Sequence, residues 1–105
     1  MRRNSATSNA QVYTLNQLRD MVNPLVERYG MRGASVFGSY ARGEANAESD
    51  IDVLLDGGDS FRRINVFAVA EDLHEASGKR VDVYELSELD EGPFREAVLR
   101  EAVAL

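Results

Sequence analysis

The 105-residue chain contains no cysteine, no tryptophan, two prolines and a single histidine. Without cysteine there is no disulfide framework and no thiolate metal site. One histidine excludes a centre built on several imidazoles. No apolar run approaches the roughly 20 residues of a membrane span, and the N-terminal residues lack the apolar core of a secretory signal. The expectation is a cytoplasmic protein with no membrane contact. Basic residues are also in short supply. Twelve Lys and Arg stand against 18 Asp and Glu, for a net charge of −6. No dedicated nucleic-acid surface is expected, since that calls for a basic face. A nucleotide stays open as a ligand, because metal and a few local donors can meet its phosphates.

What is present suits one small core: 44% of the residues are hydrophobic. Residues 1–13 are polar and read as a flexible tail. Residues 14–105 read as a single domain. Its first helix runs from Thr14 to Tyr29, with Thr14 and Gln17 as a capping box. Leu15, Leu18, Val22, Leu25 and Tyr29 form its apolar stripe. Pro24 inside this pattern predicts a kink or a split near Asn23.

The informative stretch is Gly38 to Leu55, GSYARGEANAESDIDVLL. Ala34–Phe37 is a short core strand that delivers Gly38-Ser39. Tyr40–Arg42 opens a short helix or a tight loop, and 44–49 is a loop. Asp50–Leu55 is a second strand. Asp50 and Asp52 are two apart, so both point from one face while Ile51, Val53 and Leu55 bury on the other. Two carboxylates aimed at one spot call for a cation. Mg²⁺ is the natural candidate, since it takes oxygen ligands and commonly binds substrate phosphates as well. Gly38 lets the backbone approach an anion closely, and free N–H groups at a following helix start suit a phosphate.

A second long helix is expected over 60–77, with Ser60 as N-cap and Phe61, Ile64, Phe67 or Ala68, and Leu73 toward the sheet. His74 reads as a surface residue of this helix, with a general base as its functional alternative. Arg80–Leu86 is a third strand, with Val81 and Val83 on one face and Arg80, Asp82 and Tyr84 on the other. A β–helix–β crossover makes it parallel and adjacent to the second strand. Asp82 then either joins Asp50 and Asp52 or belongs to a solvated face. Residues 90–105 read as a last helix, with Phe94, Val98, Ala102 and Leu105 as its stripe. The expected order is α-β-β-α-β-α, an α/β (α+β) domain with a mixed sheet of three or more strands.

Gly38-Ser39, ten residues, then Asp50-x-Asp52 resembles the G-S-x10-D-x-D signature of the DNA polymerase beta-like nucleotidyltransferase superfamily. FGSYARGEA followed by SDIDVLLD resembles its MNT group, the minimal nucleotidyltransferases. The resemblance spans 14–105 and implies the minimal nucleotidyltransferase fold. It implies that Asp50, Asp52 and Asp82 are catalytic and hold two Mg²⁺ ions, with ATP as substrate. Gly38 and Ser39 then hold the terminal phosphates. Arg42 either contacts phosphate or pairs with Glu44 or Glu48. MNT proteins are usually encoded beside a small helical HEPN toxin, and the resemblance implies AMP transfer to a tyrosine of that partner, with a hetero-oligomer as an option. Two other readings stay open: an antitoxin acting by contact alone, and a catalytic subunit that modifies a small molecule or RNA.

Overall fold

The structure is a computed structural model that describes residues 10–59 and 61–105. Thr14 opens helix α1 (Leu15–Arg28) through the expected capping box. Its Oγ1 accepts from the Gln17 N–H at 3.1 Å, and Gln17 Oε1 accepts from the Thr14 N–H at 2.8 Å. The expected break at Pro24 does not divide α1, which is continuous. Pro24 lies on the exposed side, where water can take the carbonyl left without its N–H partner. Leu18 and Val22 before it, with Leu25 and Val26 after it, bury both halves against one core. Tyr13, which the sequence leaves in the tail, packs on that core and donates its hydroxyl to the Ser77 carbonyl at 2.5 Å.

After α1 come β1 (Gly33–Phe37), the single-turn α2 (Ser39–Arg42) and β2 (Ile51–Asp56). They are followed by α3 (Arg63–Ser77), β3 (Val81–Glu85), a 3-10 turn at Leu86–Glu88, α4 (Pro93–Glu101) and β4 (Val103–Ala104). The four strands form one mixed sheet in the order β3-β2-β1-β4. β2 and β3 are parallel, as a crossover through α3 requires, and β1 is antiparallel to both β2 and β4. This is the architecture the resemblance implies, with α2 and β4 added to the expected order.

Alternation along β2 divides the core. Ile51, Val53 and Leu55 face α1 and α3, with Val36, Val66, Val69 and Leu73. Leu54 faces the other way and meets Phe37 and Val98 of α4. The carboxylates of β2 share this second face, so the site lies on the side covered by α4.

Two expected helices differ. Ser60 lies outside the described residues, and α3 is capped at Arg62, without a side-chain cap bond. Its buried stripe is Val66, Val69 and Leu73, while Ile64 and Phe67 are 68% and 64% exposed. Leu73 is on the expected inner face, and Val66 and Val69 take the places expected of Ile64 and Phe67. Phe61 precedes the helix but does pack on the core. The last helix stops at Glu101 instead of running to Leu105. Ala102 turns extended (φ −62°, ψ 136°), and Val103–Ala104 pair with Val36 and Ser35 of β1. β1 otherwise presents an unpaired edge, and the chain end satisfies it. Ala102 therefore packs in the smaller core, while Val103 and Leu105 pack in the larger one.

Candidate active site

Gly38 sits where β1 turns into α2. Its φ of 71° and ψ of −148° lie in a region open to glycine. Space also demands glycine here, because a Cβ at this position would lie 2.3 Å from Asp52 Oδ2. The turn and the carboxylate are thus in direct contact. The strand register explains why. Phe37 pairs with Asp52 across β1 and β2, and Asp52 pairs with Asp82 across β2 and β3. Neighbouring strands lie about 4.8 Å apart, so the two aspartates stand side by side on one face.

Asp50 lies just before β2. The Ile51 N–H donates to the Arg80 carbonyl at 3.0 Å, which ties this corner to the start of β3. Loop 44–49 is tied down as well: buried Lys79 donates through Nζ to the Ala47 carbonyl at 2.9 Å. Arg80 Nε is 3.8 Å from Asp50 Oδ2 and 3.7 Å from Asp82 Oδ1. A cationic group already stands between two of the three carboxylates.

Asp52 takes the electrostatic burden of this arrangement. Burial raises its pKa first, and the neighbouring charges of Asp82 and Asp50 raise it further, to about 6. Arg42 opposes the rise and Glu101 adds to it. Arg42 reaches Glu44 through Nε at 2.9 Å and Glu101 through Nη1 at 3.1 Å. The hydrogen bond to Glu44 leads in holding its guanidinium more firmly protonated than usual. The predicted pairing with Glu44 is therefore present. Ser39 is half-buried at the first position of α2.

Two residues that the sequence reading did not single out belong to this cluster. Alternation puts Arg80 on the face of Asp82, and that is its signal in the sequence. Glu101 had none, because its place depends on α4 ending there and on β4 docking beside β1. Its Oε1 accepts from the Gly38 N–H at 2.8 Å as well as from Arg42. His74 is exposed as expected, with Nδ1 2.7 Å from the Lys79 carbonyl oxygen.

Among the described residues no three acidic or imidazole side chains stand as a ready-made metal shell. The donor chemistry nevertheless fits a hard cation. The side chains are all carboxylates, Asp52 is hard to ionise beside its neighbours, and Arg80 is a stand-in charge between Asp50 and Asp82. Among the described residues no helix is long and apolar enough to cross a membrane.

Comparison with known proteins agrees with this geometry. Residues 20–105 match the family model described as polymerase beta, nucleotidyltransferase. The protein adenylyltransferase MntA of Thermococcus cleftensis is 42% identical over 75% of this chain and 79% of its own. A solved structure described as a minimal nucleotidyltransferase is 36% identical, covers 87% of this chain and 92% of that one, and superposes with a TM-score of 0.73. A toxin–antitoxin crystal structure with AMP-PNP shares the fold at a TM-score of 0.70 and 22% identity, over 82% of this chain and 70% of that one. The match to the family model over most of its length makes this chain a member of the polymerase beta nucleotidyltransferase family.

Proposed function

We propose that this protein transfers AMP from ATP to a tyrosine hydroxyl of a HEPN-type toxin partner, and so acts as an antitoxin. The reading is carried by the in-register pair of Asp52 and Asp82 against the Gly38 turn. The activity name of the Thermococcus cleftensis relative and the toxin–antitoxin fold neighbour support it.

In this reading the Gly38 N–H, Ser39 and Arg42 bind the terminal phosphates. The guanidinium fork of Arg42 matches phosphate oxygens. Asp50, Asp52 and Asp82 would hold two Mg²⁺ ions, which when bound offset phosphate charge and make the acceptor hydroxyl more acidic. The acceptor oxygen forms a bond to the α-phosphorus, the bond to the β-phosphate oxygen breaks, and pyrophosphate leaves. Asp82, on the edge strand beside Asp52, takes up the hydroxyl proton. The protein's main work is to position the reactants and offset charge, as in phosphoryl transfer generally.

The experiment is a label-transfer assay with the helical partner, Mg²⁺ and ATP labelled at either the α- or the γ-phosphate. Label should enter the partner from the α-position only. Transfer from the γ-position would make the protein a kinase, and transfer from neither would favour an antitoxin that acts by contact.

A further inference from the structure

Glu101 closes α4 and reaches back to the turn after β1. Its Oε1 accepts from the Gly38 N–H at 2.8 Å and from Arg42 Nη1 at 3.1 Å, with the side chain about one-third exposed. These are two of the donors assigned above to the terminal phosphates. A carboxylate oxygen and a phosphate oxygen make the same charge-assisted hydrogen bonds to such donors. One oxygen here uses both at once. Its negative charge also bears on Asp52, which is unfavourable for an anion here unless the two donors compensate.

We infer that Glu101 is the resident anion of this turn, a positioning residue that holds Gly38 and Arg42 in place until the terminal phosphates of Mg·ATP displace it. The inference rests on the reading of Gly38 and Arg42 as phosphate donors. It has a definite consequence. Every phosphate ligand must compete with a tethered carboxylate, so the apparent affinity for phosphate falls short of what the bare turn would offer. Once displaced, Glu101 frees Arg42 Nη1, while Nε keeps its bond to Glu44.

The test is calorimetric titration of the full chain with magnesium tripolyphosphate and with Mg·ATP, comparing wild type with Glu101→Gln. Glutamine keeps the shape and one acceptor oxygen but loses the charge. The variant should bind tripolyphosphate about tenfold more tightly, the scale of losing the ionic part of two hydrogen bonds. Where partner modification is followed, KM for ATP should fall with kcat held. The Gly38 amide proton resonance reads the same exchange directly: saturating tripolyphosphate should bring it to one position in both proteins, from different starting points. Glu101→Asp, which withdraws the carboxylate by one methylene, is the second variant should glutamine impair folding, and it should also bind more tightly than wild type. Equal or weaker tripolyphosphate binding by the variants would overturn the inference while leaving the phosphate reading of Gly38 intact. Failure of wild type and variants alike to bind would overturn both. Tighter binding with no partner modification in any protein would uphold the inference and remove the adenylylation reading alone.

Discussion

Gly38 and Asp52 are in contact so close that no side chain fits between them: a Cβ on Gly38 would stand 2.3 Å from Asp52 Oδ2. The turn that ends β1 and the carboxylate near the start of β2 are therefore one unit. Gly38→Ala must push Asp52 aside and must also hold alanine at a φ of 71°. A cost of about 2 kcal/mol is expected, or a Tm lower by roughly 8–16 °C for a domain of this size. Thermal unfolding followed by circular dichroism measures it. A Tm within about 2 °C of wild type would mean that the two groups are not in contact.

Asp52 should leave a signature in stability against pH. Its folded pKa of about 6 lies above the ordinary carboxylate value, so between pH 4 and 6 the folded state holds the extra proton. Its contribution to stability in metal-free buffer therefore falls as pH rises through that window. Asp52→Asn removes this titration. The Tm of Asp52→Asn relative to wild type should rise from pH 4 to pH 7 in EDTA. A flat difference would deny the raised pKa.

Asp50 tests the cation. Without Mg²⁺, Asp50→Asn should not lower Tm, since relief of like-charge repulsion at Asp52 outweighs a 3.8 Å contact to exposed Arg80. With Mg·ATP added, wild type should gain several degrees and the variant should gain none. Equal gains in both proteins would put the metal elsewhere.

Most of the site was legible because its parts are local. The Asp50-x-Asp52 spacing, the glycine before Ser39 and the alternation of Arg80, Asp82 and Tyr84 each follow from strand geometry. The β2–α3–β3 crossover then brings Asp82 beside Asp52. Glu101 was not legible. Its position follows from a two-residue strand pairing with β1, a long-range contact that no periodicity announces. Extending the last helix to Leu105 was the natural error, since Val98, Ala102 and Leu105 do recur at helical spacing. In α3 the expected Leu73 is buried but Ile64 and Phe67 are not, for a different reason. Val66 and Val69 compete with Ile64 and Phe67 for the inner face, and side-chain size alone does not choose between two adjacent stripes. Alternation puts Glu85 on the face of Val81 and Val83, but a carboxylate is buried there only because the Gly57 and Ser87 donors meet it, and those come from loops that no periodicity announces.

Glu85 bears on the fold more than on the chemistry. Buried at the end of β3, it accepts from the Gly57 N–H at 2.9 Å, from the Ser87 N–H at 2.8 Å and from the Ser87 hydroxyl. It thereby joins the loop after β2 to the turn after β3. Glu85→Ala strands those donors and should cost about 2–4 kcal/mol. Urea unfolding would measure this as a lower midpoint at unchanged slope. A midpoint like that of wild type would show that the carboxylate bears no load.

In the proposed function the Gly38 turn and the three aspartates act together to place AMP on a partner. Intact-mass spectrometry of the helical partner, after incubation with this protein, Mg²⁺ and ATP, tests it most directly. The expected result is a gain of about 329 Da for each AMP transferred with loss of pyrophosphate. Asp50→Asn and Asp52→Asn should each abolish the gain while leaving complex formation intact. A partner of unchanged mass, whose toxicity is still neutralised by wild type and by both variants, would contradict it.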